Sequence, residues 1–326
     1  MLWGAVSTAP HTSILEMTDT STRPPTLHRV STYLHKRPPL RLLLLLGLPV
    51  LWLVVVYGGS LLALLLQSFF RLNPFSGVLE RVISLDTWKT LFTSANTAVM
   101  IRTIGMAAAV TIASVVIAFP LAYFMALYAR PKTKSILVLA VLVPLWSSYL
   151  VRVYSWKLIL AADGIINWFV ERLGLDAVFQ ALLDAPGIGG PSLSISYLGQ
   201  FMVFVYIWLP FMILPVFASL ERVPKSLLEA SADLGAQPAF TLRKVTWPMA
   251  IPGVAAGSIF TFSLTLGDYI IPTIIGDSSP FIGLAIYSYQ GVAGNLPLAA
   301  AFSFVPIAVM AVYLTVARKL GAFEAL

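Results

Sequence analysis

The sequence predicts an all-α integral membrane protein with six transmembrane helices. Three observations carry that reading. Apolar residues make up 58% of the 326 positions and charged residues only 11%, with a mean hydropathy of +0.87. The apolar residues gather into six runs, each with about the 20 residues a helix needs to cross a bilayer. The charges fall between these runs, as they must where hydrocarbon replaces water.

In chain order, residues 1–39 are rich in Ser, Thr and Pro and have no apolar period, the composition of a mobile tail. The first span, 40–70, contains Pro49, Gly58 and Gly59 and is expected to bend. It is too long for a signal-peptide core and has no small-residue cleavage site. A loop of mixed charge leads to the second span at 97–128, and the turn 129–134 forces an immediate return into the third at 135–160. The loop 161–196 carries four acids and two helical stretches, near 166–173 and 177–183. The fourth span is expected at 197–220, the fifth at 251–275 and the sixth at 297–317. One membrane domain thus covers 40–320, followed by a short tail at 321–326.

Six spans put both termini on one side, and the basic residues choose it. The tail has five (Arg23, Arg29, Lys36, Arg37, Arg41), the 129–134 turn three, the stretch 221–252 four (Arg222, Lys225, Arg243, Lys244) and the C-terminus two. The opposite face has Arg71, Arg81, Lys89 and Arg172 among seven acids. The positive-inside rule places both termini and residues 221–252 in the cytoplasm.

That polar stretch is more structured than a linker requires. Ser226 and Glu229 have capping-box spacing, with Ser226 as N-cap. Leu227, Leu228 and Leu234 recur at helical spacing, Gly235 ends the helix, and Pro238 enforces a break. A second short amphipathic segment runs over 239–247, before Pro248 and Pro252 begin the fifth apolar run. A capped helix on the membrane surface, with an apolar stripe, is a docking element for another protein.

Several classes of function are disfavoured. With no cysteine, disulfides and thiolate metal sites are excluded. The histidines, His11, His28 and His35, all lie in the tail, so no intramembrane imidazole serves as proton relay or metal ligand. No nucleophile–base constellation suggests an enzyme. The net charge of +7 comes from short loops between apolar runs and is not a nucleic-acid signal.

Glu229, Ala230 and Ser231, then Gly235, then Val245, Thr246, Trp247 and Pro248 resemble the EAA loop of permease subunits of ATP-binding-cassette importers. The spacing is kept; Ser231 stands for the second Ala, Val245 for Ile and Trp247 for Leu. Residues 144–156, 164–167, 263–269 and 295–301 are similar to the spermidine/putrescine-type branch, so the likeness covers about 40–320. The resemblance implies a type I importer permease fold in a bacterial inner membrane. It implies that the loop 221–250 is a coupling element seated on a cytoplasmic ATPase. Its coupling residues would be Ser226, Leu228, Glu229, Ala230, Ser231, Asp233, Leu234, Gly235 and Pro248. The chain has no Gly-x4-Gly-Lys-Ser/Thr phosphate loop. It is therefore expected to bind no cofactor itself, with ATP and Mg2+ in two partner ATPases. The other implied partners are a second, non-identical permease and an extracytoplasmic binding protein, with lipid around the spans.

One acid, Asp268, falls within an expected span, about 25 Å along the fifth at 1.5 Å per residue. Arg152 and Lys157 of the third span and Arg102 of the second fall at similar depth. Asp268 therefore either forms an interhelical ion pair or attracts a cationic substrate. Aromatic faces bind ammonium groups, which makes Trp146, Tyr149 and Tyr269 pathway candidates with Arg152 and Asp268; the alternative is an interfacial aromatic belt. The expected substrate is a polyamine or related small amino compound. Alternatives within the class are an amino-acid derivative, an opine, GABA or an oxyanion. A self-sufficient secondary transporter would show an internal repeat and paired midplane charges, and neither is evident.

Overall fold

The computed structural model describes residues 38–73, 76–277 and 279–319. The expected tails lie outside them, except Pro38 and Pro39, which open the first helix. The chain divides into two units, Met1–Leu62 and Ala63–Leu326. The first holds α1 (Pro38–Trp52), the π-helical stretch Leu53–Gly58, and the start of α2 (Gly59–Ser68). Helical turns from Leu45 to Ser68 make a span of 24 residues.

The second unit begins with a small hairpin that the sequence reading missed. Strand β1 (Arg71–Leu72) pairs antiparallel with β2 (Leu79–Glu80). Arg71 Nε and Asn73 Nδ2 both donate to the Glu80 carboxylate, at 2.6 and 2.7 Å. A short helix, α3 (Asp86–Leu91), leads into α4 (Ser94–Tyr123), whose last turns to Tyr128 are π-helical. Residues 129 and 130 turn the chain into α5 (Pro131–Trp146), with Pro131 in the first turn, where its missing N–H costs nothing.

The third span is not the single helix expected. It breaks between α5 and α6 (Tyr149–Ile159), which meet at 96°. Ser147 and Ser148 are extended (ψ 151° and 137°), and the Ser147 backbone N–H and hydroxyl both donate to the Pro144 carbonyl. One carbonyl freed at the end of α5, that of Pro144, thus finds both donors locally. Helices α7 (Ile165–Arg172) and α8 (Asp176–Leu183) match the expected loop helices.

Helix α9 (Tyr197–Glu221) coincides with the expected fourth span. After α10 (Lys225–Asp233) the chain enters α11 (Pro238–Thr241), a π-helical turn Leu242–Thr246 and α12 (Trp247–Gly267). These form one span, Pro238–Gly267, of 30 residues. The fifth span therefore starts well before 251 and stops at 267. Pro248 does not break it, because the wider π turn directly ahead makes room for the proline ring. Beyond the break lie α13 (Ile270–Ile274), α14 (Ile282–Tyr287) with a π turn to Val292, and α15 (Leu296–Lys319). Helix α14 was also missed. Among the described residues, five helices are long and apolar enough to cross a membrane, or six if the bent α5–α6 pair is one span.

The core of this unit is the packing of α4, α9 and α12. Gly253 and Gly257 of α12 let the α9 backbone approach: a Cβ on Gly253 would lie 2.4 Å from the Pro215 carbonyl oxygen, and one on Gly257 2.7 Å from Met212 Sδ. This is the small-residue packing by which helices associate where hydrophobic burial gives no advantage over lipid. Buried Met125, Met212, Val216, Leu220 and Ala250 form the cluster nearest α10. Val110, Phe204, Ile207, Ile271 and Phe281 form the one at the other end of α9.

Candidate functional site

Two places gather the residues singled out by the sequence. The first is α10 and its exit. Ser226 is not its N-cap. Pro224 holds that position (φ −65°, ψ 133°) and its carbonyl accepts the Leu227 N–H at 3.1 Å. The proline ring fixes φ and starts the helix two residues earlier than the capping box would. Ser226 therefore sits in the first turn without a capping bond, and Glu229 is exposed, with no hydrogen bond or ion pair among the described residues.

The C-terminal end follows the expectation closely. Gly235 has φ +73°. Its N–H donates to the Ala232 carbonyl at 2.8 Å, and the Ala236 N–H donates to that of Ser231 at 3.1 Å, a complete Schellman closure. Ser231 is buried and its hydroxyl shares a hydrogen bond with Thr241 at 2.8 Å, so it braces α10 against α11 rather than facing a partner. Leu228 packs half-buried on the cluster of Leu220 and Val223. Ala230, Asp233 and Leu234 are exposed; Leu234, at 88%, and Phe240, at 56%, flank an apolar cleft of about 400 Å³ closed by Ser231, Ala236 and Gln237. Pro248 is exposed in the first turn of α12. Trp247 meets Phe119 edge to face at 4.8 Å, so α4 accommodates the larger side chain.

The second place is the break after α12. Asp268 is its C-cap, in extended conformation (ψ 132°), not a residue inside a span. Its Oδ1 accepts the Ile270 and Ile271 N–H groups at 2.7 and 3.2 Å, and its Oδ2 accepts the Tyr149 hydroxyl. The expected ion pair with Arg152, Lys157 or Arg102 is not formed among the described residues. The 96° turn before α6 brings Tyr149, its first residue, to the carboxylate. Arg152 lies over the Tyr149 ring at 6.0 Å with its Nε buried and without a hydrogen-bond partner among the described residues, and Arg102 donates to the Pro280 carbonyl at 3.3 Å.

The Tyr149 ring stacks on Trp208 of α9 at 5.8 Å. Tyr269 stacks on Tyr287 of α14 at 5.2 Å and 11°, with both rings accessible. Trp146, 78% exposed at the end of α5, makes no ring contact or hydrogen bond among the described residues. A Cβ on Gly283 of α14 would lie 2.6 Å from the Asp268 carbonyl oxygen, so α14 presses on the break. The signal for this was a lone glycine in an apolar run, which sequence reasoning passed over. The site is therefore a hydrogen-bonded latch joining α6 to the α12–α13 break, flanked by an open aromatic pair.

Comparison with known proteins identifies the family. Residues 118–321 match the family described as binding-protein-dependent transport system inner membrane component. The chain is 52% identical over 302 residues to the inner membrane ABC transporter permease protein YdcU of Escherichia coli (strain K12), covering 93% of this chain and 96% of that one. It is 30% identical over 226 residues to the spermidine/putrescine transport system permease protein PotB of the same organism, covering 69% and 77%. Its fold is similar to that of a chain in the crystal structure of a bacterial alginate ABC transporter in complex with alginate pentasaccharide-bound periplasmic protein. The TM-score is 0.69 at 14% identity, over 91% of this chain and 98% of the other. The chain belongs to the binding-protein-dependent transport system inner membrane component family and is a multi-pass permease subunit of an ATP-binding-cassette importer.

Proposed function

We propose that this permease forms half of the pathway for a polyamine or related small amino compound, and that α10 transmits the motion of a cytoplasmic ATPase to it. The observation that carries the coupling role is the exposed α10 itself. It is closed at its C-terminus by Gly235, presents a Glu229 with no ion pair among the described residues, and adjoins the Leu234–Phe240 cleft. The working complex comprises a second, non-identical permease, two ATPases that hold ATP and Mg2+, and an extracytoplasmic binding protein. Six spans, with the bent α5–α6 pair counted as one, put both termini and the 221–250 loop in the cytoplasm of a bacterial cell. The distribution of basic residues supports that orientation. The chain performs no hydrolysis itself.

The amine reading is supported by the likeness to PotB. Asp268 is committed to three donors, so its part in this reading is to hold the latch. Recognition of ammonium groups falls to the Tyr269–Tyr287 pair and Trp146 by cation–π attraction. The test is co-purification with the ATPase together with ATP-driven uptake of labelled spermidine in vesicles. Glu229→Arg and Gly235→Asp are expected to lose both. Unchanged assembly and uptake in both variants would overturn the coupling role, and uptake of spermidine no better than that of an oxyanion would overturn the substrate.

A further inference from the structure

The ends of α9 and α12 nearest α10 enclose a groove of about 430 Å³, lined by Pro215, Ala218, Arg222, Pro248, Pro252 and Ala256 among others. That is ligand-sized. Its lining contains no acid. Gly253 closes the floor, where the α9 backbone comes too near for a side chain. Arg222, the first residue past α9, is exposed at the groove and has no ion pair among the described residues. The neighbouring carboxylate, Glu221, is taken by Lys134. A guanidinium with no ion pair among the described residues thus borders a mostly apolar furrow, with Ser219 its one hydroxyl, at the end of two membrane-spanning helices. Lys225, Arg243 and Lys244 lie in the same loop region and add to the positive potential.

We propose that this groove binds an anionic phospholipid, with the headgroup phosphate on Arg222 and one acyl chain laid between α9 and α12. Charge complementarity selects this occupant. A guanidinium matches phosphate geometry with paired N–H donors, and apart from Ser219 the furrow of prolines, alanines and Met249 offers dispersion contacts, which suit a hydrocarbon chain. An apolar face of another protein would cover Arg222 without pairing it. A lipid here touches both helices that carry the α10 loop, so it would tune the coupling movement; the site itself does not depend on which substrate is carried.

The test uses the permease purified with its co-purifying subunits and reconstituted with phosphatidylglycerol or phosphatidylcholine, read by native mass spectrometry. The expected result is one retained phosphatidylglycerol per permease and none of the neutral lipid. Arg222→Gln should weaken retention about fivefold, the effect of one interfacial cation, and Arg222→Lys should restore part of it. Ala218→Leu, which fills the groove and leaves Arg222 in place, should also displace the lipid. Retention by Arg222→Gln and Ala218→Leu equal to that of the unsubstituted permease overturns the proposal. So does full displacement by inorganic phosphate alone, which would indicate a headgroup-only anion site. A photo-crosslinker at Ala218 must capture lipid; capture of the second permease instead places a protein in the groove and also overturns the assignment.

Discussion

Replacing Tyr149 with Phe tests whether the α12–α13 break is held by a latch. The substitution removes one hydroxyl and keeps the ring stacked on Trp208 at 5.8 Å. The lost bond joins a neutral donor to a carboxylate, a class worth about 1.5–3 kcal/mol. Asp268 retains two backbone donors, at 2.7 and 3.2 Å, so the lower end of that range applies, about 1.5 kcal/mol. Asp268→Asn keeps an oxygen for the two amides while removing the charge that the Tyr149 hydroxyl addresses. Unfolding of the reconstituted permease should show the two single variants destabilised and the double variant little worse than either. A coupling energy of about 1 kcal/mol is expected for partners in contact. Effects that add within about 0.3 kcal/mol would refute the latch. A companion measurement separates the latch from direct substrate recognition: Asp268→Asn should alter the rate of uptake more than its apparent KM. A tenfold rise in KM at unchanged maximal rate would show that the carboxylate meets the substrate.

Three further perturbations have outcomes set by the geometry. Gly235→Ala forces a side chain into a conformation with φ +73°, at a cost of about 1–2 kcal/mol; it should fray α10 and lower ATPase co-purification, whereas Gly235→Asn should be tolerated better. Gly253→Ala places a Cβ 2.4 Å from the Pro215 carbonyl oxygen and should cost about 1–3 kcal/mol, read as a lowered unfolding temperature, while Gly105→Ala, with open space around it, should be neutral. The extramembrane hairpin should loosen in acid. Hydrogen bonds from Arg71 and Asn73 hold the Glu80 carboxyl below its ordinary range, and bonds from Ser84 and Lys89 do the same for Asp86. Because these folded-state values are depressed, their stabilisation is fully present above the unfolded values of about 4.3 and 3.9. It is lost as pH falls through the lower folded ones. Proteolysis within residues 71–90 should accelerate on acidification, and Glu80→Gln should reduce that pH dependence, leaving the part due to Asp86.

Much of the architecture was legible because hydrocarbon imposes long apolar runs. The fourth and sixth spans and the two loop helices at Ile165–Arg172 and Asp176–Leu183 came out within a few residues. Two errors share a cause. Apolar content records burial in lipid or protein but not direction, so the 96° turn at Ser147 and Ser148 and the end of α12 at Gly267 left no mark in it. Prolines misled in both directions. Pro248 was taken as the start of a span, yet a π-helical turn carries the helix past it, and Pro224 displaced Ser226 from the cap. At the sites, Gly235 was readable because a positive φ after an amphipathic helix is a local matter. The Tyr149–Asp268 bond joins residues 119 positions apart across a bend, and no local pattern encodes it. Ser231 looked like a contact residue, but its Thr241 partner lies on a helix that the sequence had merged with the exit of the loop.

The most direct test of the coupling role uses the absence of cysteine from the chain. A single Ala230→Cys, on the exposed face of α10, reports by maleimide labelling whether that face is covered in the assembled importer. A cysteine replacing Ile83, itself 78% exposed on the loop after β2, serves as the reference. Cys at 230 is expected to be slowed severalfold in labelling when the ATPase subunits are present and to regain full reactivity when they are stripped away, while Cys at 83 is indifferent to them. Equal labelling of Cys at 230 with and without the ATPases would contradict the coupling role.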